Sequence, residues 1–208
     1  MDVRELLRDV TKLISEKRFL EAEQKLLSAR GALTSNTDLQ EQGYILSELI
    51  TLYCIAKPTD AAKVERLSLE REALWKDAAS RLQTAMMLFY SLHSYERAAT
   101  KAGEAIELGR VQGDSSTVYT ALCLLGKSLL QLNRLSEAPA VLDEIETMIS
   151  EEMRIVIGDE ASFFEALREQ HIDDGRVARL ASVLGPRCQN PVFRKKLDGL
   201  AGVHPSCE

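Results

Sequence analysis

The chain has 208 residues, of which 45% are hydrophobic and 5% aromatic, and its formal net charge is -6. The apolar fraction is sufficient for a buried core and excludes a largely disordered chain. The acidic balance argues against a surface that coats nucleic acid, and no apolar run reaches the roughly 18–20 residues that a membrane-spanning helix needs.

Apolar residues recur with the period of an amphipathic helix along nearly the whole chain, and no stretch alternates as a strand would. The pattern predicts an all-α protein with helices over residues 2–16, 19–33, 37–56, 59–76, 78–92, 95–111, 115–132, 136–157, 159–171, 174–184 and 190–201. No Gly or Pro lies between Thr59 and His93. One long helix there is therefore an alternative to two.

Several helix starts carry capping residues. Asp60 stands at the start of one predicted helix, Asp114 stands directly before another, and Asn190 precedes a proline that suits a first turn. Ser136 is predicted to cap the helix that carries Pro139 in its first turn. These signals fix the starts of four helices to within a few residues.

The helices repeat. Four small residues fall at spacings of 36 or 40, namely Ala22, Ala62, Ala98 and Ala138. A leucine precedes each by 16 residues, at Leu6, Leu46, Leu82 and Leu122, and a large apolar residue follows each leucine by seven, at Leu13, Tyr53, Phe89 and Leu129. Seven residues after each alanine stand Ala29, Leu69, Ala105 and Ile145. Such a period indicates stacked helical hairpins.

This pattern resembles the tetratricopeptide repeat (TPR) family, and the unit with Leu122, Gly126, Leu129 and Ala138 resembles it most. The resemblance implies a right-handed solenoid over residues 1–157, with units at about 3–36, 43–76, 79–112 and 119–157. Residues 158–201 are predicted to be capping helices, followed by a tail at 202–208.

Sequence motifs for catalysis are absent: the chain has no Walker loop, GxGxxG, HExxH, GxSxG or EF-hand loop. One cluster has metal-ligand residue types, namely Glu165, Glu169, His171, Asp173 and Asp174. We interpret it as helix-terminal chemistry, with Asp173 or Asp174 as an N-cap. The pair His93 and Ser94 has no third orienting group for a nucleophile, and Ser94 is interpreted as an N-cap. No metal site, cofactor or enzyme activity is predicted.

The four cysteines, Cys54, Cys123, Cys188 and Cys207, form no CxxC pair and match no zinc spacing. Cys54 and Cys123 stand within apolar helical stretches, where a free cysteine acts as a small hydrophobic residue. Cysteines of this kind predict a reducing compartment, and we expect a cytoplasmic protein.

Proteins that resemble this family usually bind a peptide or partner domain in the concave groove of the solenoid. The groove candidates are Arg4, Thr11, Tyr44, Thr51, Gln83, Met87, Tyr90, Cys123, Lys127 and Gln131. Met87 and Tyr90 are expected to be exposed there, unless the C-terminal helices or a dimer mate cover them. The sequence thus predicts a protein-binding module, monomeric or homodimeric, with no nucleic-acid or membrane partner. The alternatives are a structural subunit of a larger assembly and, less favoured, an enzyme or small-molecule binder.

Overall fold

The computed structural model describes residues 2–33, 38–56, 60–149 and 159–202, and in these ranges it is all-α, as predicted, with no strand. The helices are α1 (Val3–Ser15), α2 (Phe19–Gly31), α3 (Leu39–Ile55), α4 (Ala61–Leu74), α5 (Ala78–Tyr90), α6 (Tyr95–Gln112), α7 (Ser115–Gln131), α8 (Ala138–Met148), α9 (Asp159–Glu169), α10 (Asp174–Leu184) and α11 (Pro191–Leu200). Short 3₁₀ turns precede α8 and follow α10.

The region between Thr59 and His93 holds two helices, not one long helix. α4 ends at Leu74 and α5 begins at Ala78. Between them, the Asp77 carboxylate accepts a hydrogen bond of 2.7 Å from the backbone N–H of Ser80. A capping side chain satisfies a first-turn donor, so it can start a new helix without Gly or Pro.

The predicted helix over 136–157 needs correction at both ends. Ser136 lies in the 3₁₀ turn Leu135–Glu137 and caps nothing, since α8 begins at Ala138, with Pro139 in its first turn as predicted. α8 ends at Met148 because Ile149 has extended backbone. The rest of the predicted helix, 150–157, lies outside the described residues.

Three predicted caps are confirmed. The side chains of Asp60, Asp114 and Asn190 each accept a hydrogen bond of 2.9–3.0 Å from a first-turn backbone N–H. Ser94 occupies the N-cap position of α6, but its hydroxyl makes no capping bond.

Helices that follow one another in the chain pack together. α1 packs on α2, α3 on α4, α5 on α6, α7 on α8 and α9 on α10. α1 also contacts α3, α5 contacts α7, and α7 contacts α9, while α11 packs on α9 and α10. One apolar cluster joins α1–α4 to the end of α5 and the start of α6, and a second joins α5–α11, with Phe89 packed against both.

The predicted register holds in three of four units. Three of the small residues are fully buried, namely Ala22, Ala98 and Ala138. In α4 the register is wrong: Ala62 is exposed and Leu69 is 53% exposed. Asp60 caps α4 and Ala61 is its first residue, so Ala62 lies in the first turn. The buried residues of α4 begin two positions later, at Val64.

Two glycines allow an aromatic ring to lie on a helix backbone. A Cβ on Gly126 of α7 would lie 2.4 Å from the ring of Phe163 in α9. A Cβ on Gly43 of α3 would lie 2.2 Å from the indole of Trp75. Both rings occupy the space that a side chain at the glycine position would fill. The two glycines therefore allow α9 to pack on α7 and the α4–α5 turn to pack on α3.

Candidate functional site

Two of the predicted groove residues are buried. Met87 is 7% exposed and belongs to the apolar core, and Cys123 is fully buried. On α5, the face formed by Ser80, Thr84 and Met87 is buried throughout. Of the three α5 residues predicted to line the groove, Gln83 and Tyr90 are exposed, whereas Met87 lies on the buried face, where Ser80 and Thr84 are hydrogen-bonded to Arg71 of α4. The expectation of an exposed Met87 is therefore wrong.

Tyr90 of α5 and Lys127 of α7 are brought together. The Lys127 ammonium lies 4.7 Å from the centroid of the Tyr90 ring and 5.3 Å from that of Phe89. It also donates a hydrogen bond to the Tyr90 hydroxyl. Tyr90 remains 45% exposed, so part of its ring is accessible to solvent. Lys127 and Phe89 both contact the Tyr90 side chain and hold it in position.

Two more aromatic rings, Phe89 and Tyr95, lie beside the contact between Tyr90 and Lys127. Phe89 lies edge-on to Tyr90, with centroids 4.9 Å apart, and edge-on to Tyr95, at 5.2 Å. We call Phe89, Tyr90, Tyr95 and Lys127 the aromatic cluster. The sequence analysis placed Phe89 in an apolar repeat position and missed the part that Phe89 and Tyr95 have in this surface. The signal that could have found them is the run of aromatic residues at 89, 90 and 95.

The aromatic cluster combines a partly exposed tyrosine ring with a lysine held against it. Tyrosine combines a large apolar face with a polar tip, and such residues carry much of the energy of protein interfaces. A lysine held over rings by cation–π attraction is already oriented, so a partner that contacts it orders fewer side-chain torsions on binding.

The other predicted groove residues lie apart or show no chemistry of their own. Tyr44 packs edge-on to Trp75, at 5.4 Å, and shares with Arg4 a polar pocket of about 380 Å³ between α1 and α3. Thr11, Thr51, Gln83 and Gln131 are exposed. Of these, Thr51 lies one turn before Cys54, whose thiol bonds to Ser91, the neighbour of Tyr90. Burial raises the pKa of the Cys54 thiol.

Two carboxylates of the acidic cluster near His171 form ion pairs with basic side chains. Asp173 pairs with Arg176 at 3.0 Å, and Glu165 pairs with Lys196 at 2.7 Å. Asp173 holds the N-cap position of α10, as interpreted, but its side chain accepts no capping hydrogen bond. Among the described residues, no group of three or more His, Cys, Asp or Glu side chains is arranged to hold a metal ion.

Sequence reasoning missed a polar core between α4 and α5. Glu72, 5% exposed, accepts hydrogen bonds from Arg81 and from Lys101, the latter at 3.1 Å. Arg71, 3% exposed, donates long hydrogen bonds to the Ser47 hydroxyl at 3.5 Å, the Ser80 carbonyl at 3.4 Å and the Thr84 hydroxyl at 3.3 Å. Burial lowers the pKa of Arg71. Neutral acceptors at such distances compensate a buried charge poorly.

Comparison of the chain with protein-family models, with curated proteins and with solved structures gave no match. None of the described helices is both long enough and apolar enough to cross a bilayer.

Proposed function

We propose that the protein is a TPR-like helical-repeat solenoid that binds another protein or a peptide. The repeat is supported first by its turns. In three helix-to-helix turns a residue with left-handed backbone is followed by an N–H that bonds, at 2.9 Å, to a leucine carbonyl five residues back. The left-handed residues are Lys17, Asn133 and His171, and the acceptors are Leu13, Leu129 and Leu167. This is one helix-ending motif used three times.

Ion pairs between successive even-numbered helices also support the repeat. From α2 to α10, each such helix pairs with the next, through Arg30–Glu70, Arg97–Glu65, Arg110–Glu144 and Arg176–Asp143. Contacts between equivalent helices of neighbouring units are expected in a stack of hairpins. Because α9 and α10 share both the turn motif and the ion pairs, we propose that they form a fifth hairpin, with α11 covering its end.

The observation that carries the function is the contact of Tyr90 with Lys127 across α5 and α7. Large apolar patches on monomers commonly mark interaction sites, and an exposed ring that neighbouring side chains hold in place is a suitable anchor. The partner is proposed to bury the Tyr90 ring and to place an acceptor near the Lys127 ammonium. The proposed role is that of an adaptor or scaffold.

Quantitative affinity capture tests this function. Proteins captured from native lysate by the wild-type chain are compared with those captured by Tyr90→Ala with Lys127→Glu. A matched control, Val192→Ala with Lys195→Glu, makes similar changes at exposed positions of α11. We expect specific proteins to be lost with the first variant and kept with the control, at unchanged melting temperature. Equal capture by both variants would contradict the proposal.

A permanent subunit of a larger assembly is the second candidate, favoured by one observation. Leu20 and Leu27 of α2 are 75% and 44% exposed and lie two turns apart on one helix face. In an obligate subunit, such a face would be covered by a neighbouring chain. Size-exclusion chromatography with light scattering distinguishes the candidates, since a well-behaved monomer is inconsistent with an obligate subunit.

A further inference from the structure

A half-enclosed pocket of about 140 Å³ lies where α4, α5 and α6 meet. Met87 and Leu88 of α5, both buried, form part of its wall, and Leu69 of α4 contributes an exposed leucine side chain. Thr84 and Thr100 also line it. None of the four residues of the aromatic cluster is among its lining residues, so the pocket is a separate site.

Charges around the pocket are already paired. The Glu65 carboxylate accepts hydrogen bonds from Arg97, at 2.5 and 3.1 Å. Lys101 donates to Glu104 at 2.8 Å and to Glu72 at 3.1 Å. An ionic ligand would have to displace one of these pairs, whereas an apolar group gains contact with the Met and Leu side chains without displacing any.

The pocket lies at a polar joint. Beside it, α4 and α5 meet through the long bonds of Arg71 and the hydrogen bonds of Glu72. Three buried donor atoms near this joint have no hydrogen-bond acceptor within the described part of the chain, namely Arg71 Nε, Trp75 Nε1 and Ser80 Oγ. Poorly satisfied polar contacts contribute little stability, so this part of the contact between α4 and α5 adds little to the apolar packing beside it.

We propose that this pocket binds one small apolar group, about the size of a benzene ring or a leucine side chain, and that the bound group braces α4 against α5 and α6. Apolar cavities of about 150 Å³ take up benzene or xenon in other proteins. The walls come from all three helices, so a bound group contacts both sides of the joint at once. This adds to the apolar contacts that Val64 and Leu67 of α4 and Met87 and Leu88 of α5 already provide in one buried cluster.

Benzene is the probe for the test, and the methyl group of Met87 is the reporter. In protein labelled at methionine methyl groups, benzene should shift the Met87 resonance saturably and slow hydrogen exchange of α4 amides. Thr100→Phe places a ring over the pocket from an exposed position and should abolish both effects. Val111→Phe adds the same ring on the same helix away from the pocket, at an exposed residue, and should preserve both.

A shift that does not saturate, or one that survives Thr100→Phe, would overturn the proposal. If Thr100→Phe fails to fold, Leu69→Trp blocks the pocket from another exposed position and is read in the same way. The natural source of the apolar group is decided separately. A free molecule would appear in an organic extract of the purified protein, whereas a partner's side chain would make partner capture sensitive to Thr100→Phe while the aromatic cluster is intact.

Discussion

Phe163 of α9 lies against the backbone of α7 at Gly126, so closely that a Cβ there would sit 2.4 Å from the ring. Phe163 is fully buried and belongs to the cluster that joins α5–α11. The absence of a side chain at Gly126 is thus what allows the C-terminal helices to pack on the preceding ones.

Gly126→Ala should lower the free energy of unfolding by about 1–3 kcal/mol, because the new methyl group must displace a buried ring. Denaturant unfolding measures the change. Gly103→Ala is the matched control: it lies inside α6, and a Cβ there meets nothing within 4 Å. Since Ala favours a helix interior over Gly, this control should be more stable than wild type by about 0.5–1 kcal/mol. If Gly126→Ala and Gly103→Ala changed the free energy of unfolding by the same amount, the contact between Phe163 and Gly126 would be contradicted.

Helix existence and type were predictable here because they depend on local signals. Asp60, Asp114 and Asn190 cap helices in the structure because a short polar side chain can reach the next turn without help from distant residues. The inward face of α4 could not be predicted in the same way, since it carries Ser68 and Arg71, which do not look like core residues in the sequence.

The candidate site was predictable in part for a related reason. In the predicted register Lys127 is equivalent to Met87, one helical turn before Tyr90, so a register based on spacing places Tyr90 and Lys127 on the same side of neighbouring units. The burial of Met87 depends on how α5 is rotated against α4. Arg71 of α4 faces Ser80 and Thr84 on that buried side of α5, and the repeat spacing contains no information about this arrangement.

The small-residue positions give a second test. Ala98→Leu and Ala138→Leu should each cost about 1–3 kcal/mol of stability, because both alanines are fully buried where helices meet. Ala62→Leu is the control, and it should change stability by less than about 0.5 kcal/mol because Ala62 is exposed. Thermal melting of the three variants checks this. A large loss with Ala62→Leu would restore the register that the sequence predicted for α4.

Asp114 links stability to pH. Its carboxylate accepts hydrogen bonds from the Thr117 hydroxyl and backbone N–H, which lower its pKa below the usual value. The cap therefore stabilises the fold above the unfolded pKa of about 3.9, and this contribution is lost as pH falls through the lower folded pKa. Asp114→Ala should cost about 0.5–2 kcal/mol at pH 7. The difference from wild type should shrink at acidic pH, and a difference independent of pH would exclude the ionised cap.

The buried pair of neighbours Arg71 and Glu72 should respond in opposite directions to neutral substitutions. In the described part of the chain, no carboxylate forms a hydrogen bond or ion pair with Arg71, and Glu72 and Asp77 act on it only at longer range. Burial dominates and lowers the pKa of Arg71, so its charge is a cost to folding. Arg71→Met keeps a long apolar stem and removes that charge, and it should raise the free energy of unfolding by about 1 kcal/mol. Glu72→Gln leaves the charges of Arg81 and Lys101 without the carboxylate that they bind, so it should lower the free energy of unfolding.

Chemical unfolding of both variants measures these two effects. If Arg71→Met destabilises as much as Glu72→Gln, the guanidinium is better compensated than its long bonds indicate, and the joint between α4 and α5 is a stable core rather than a weakly held contact.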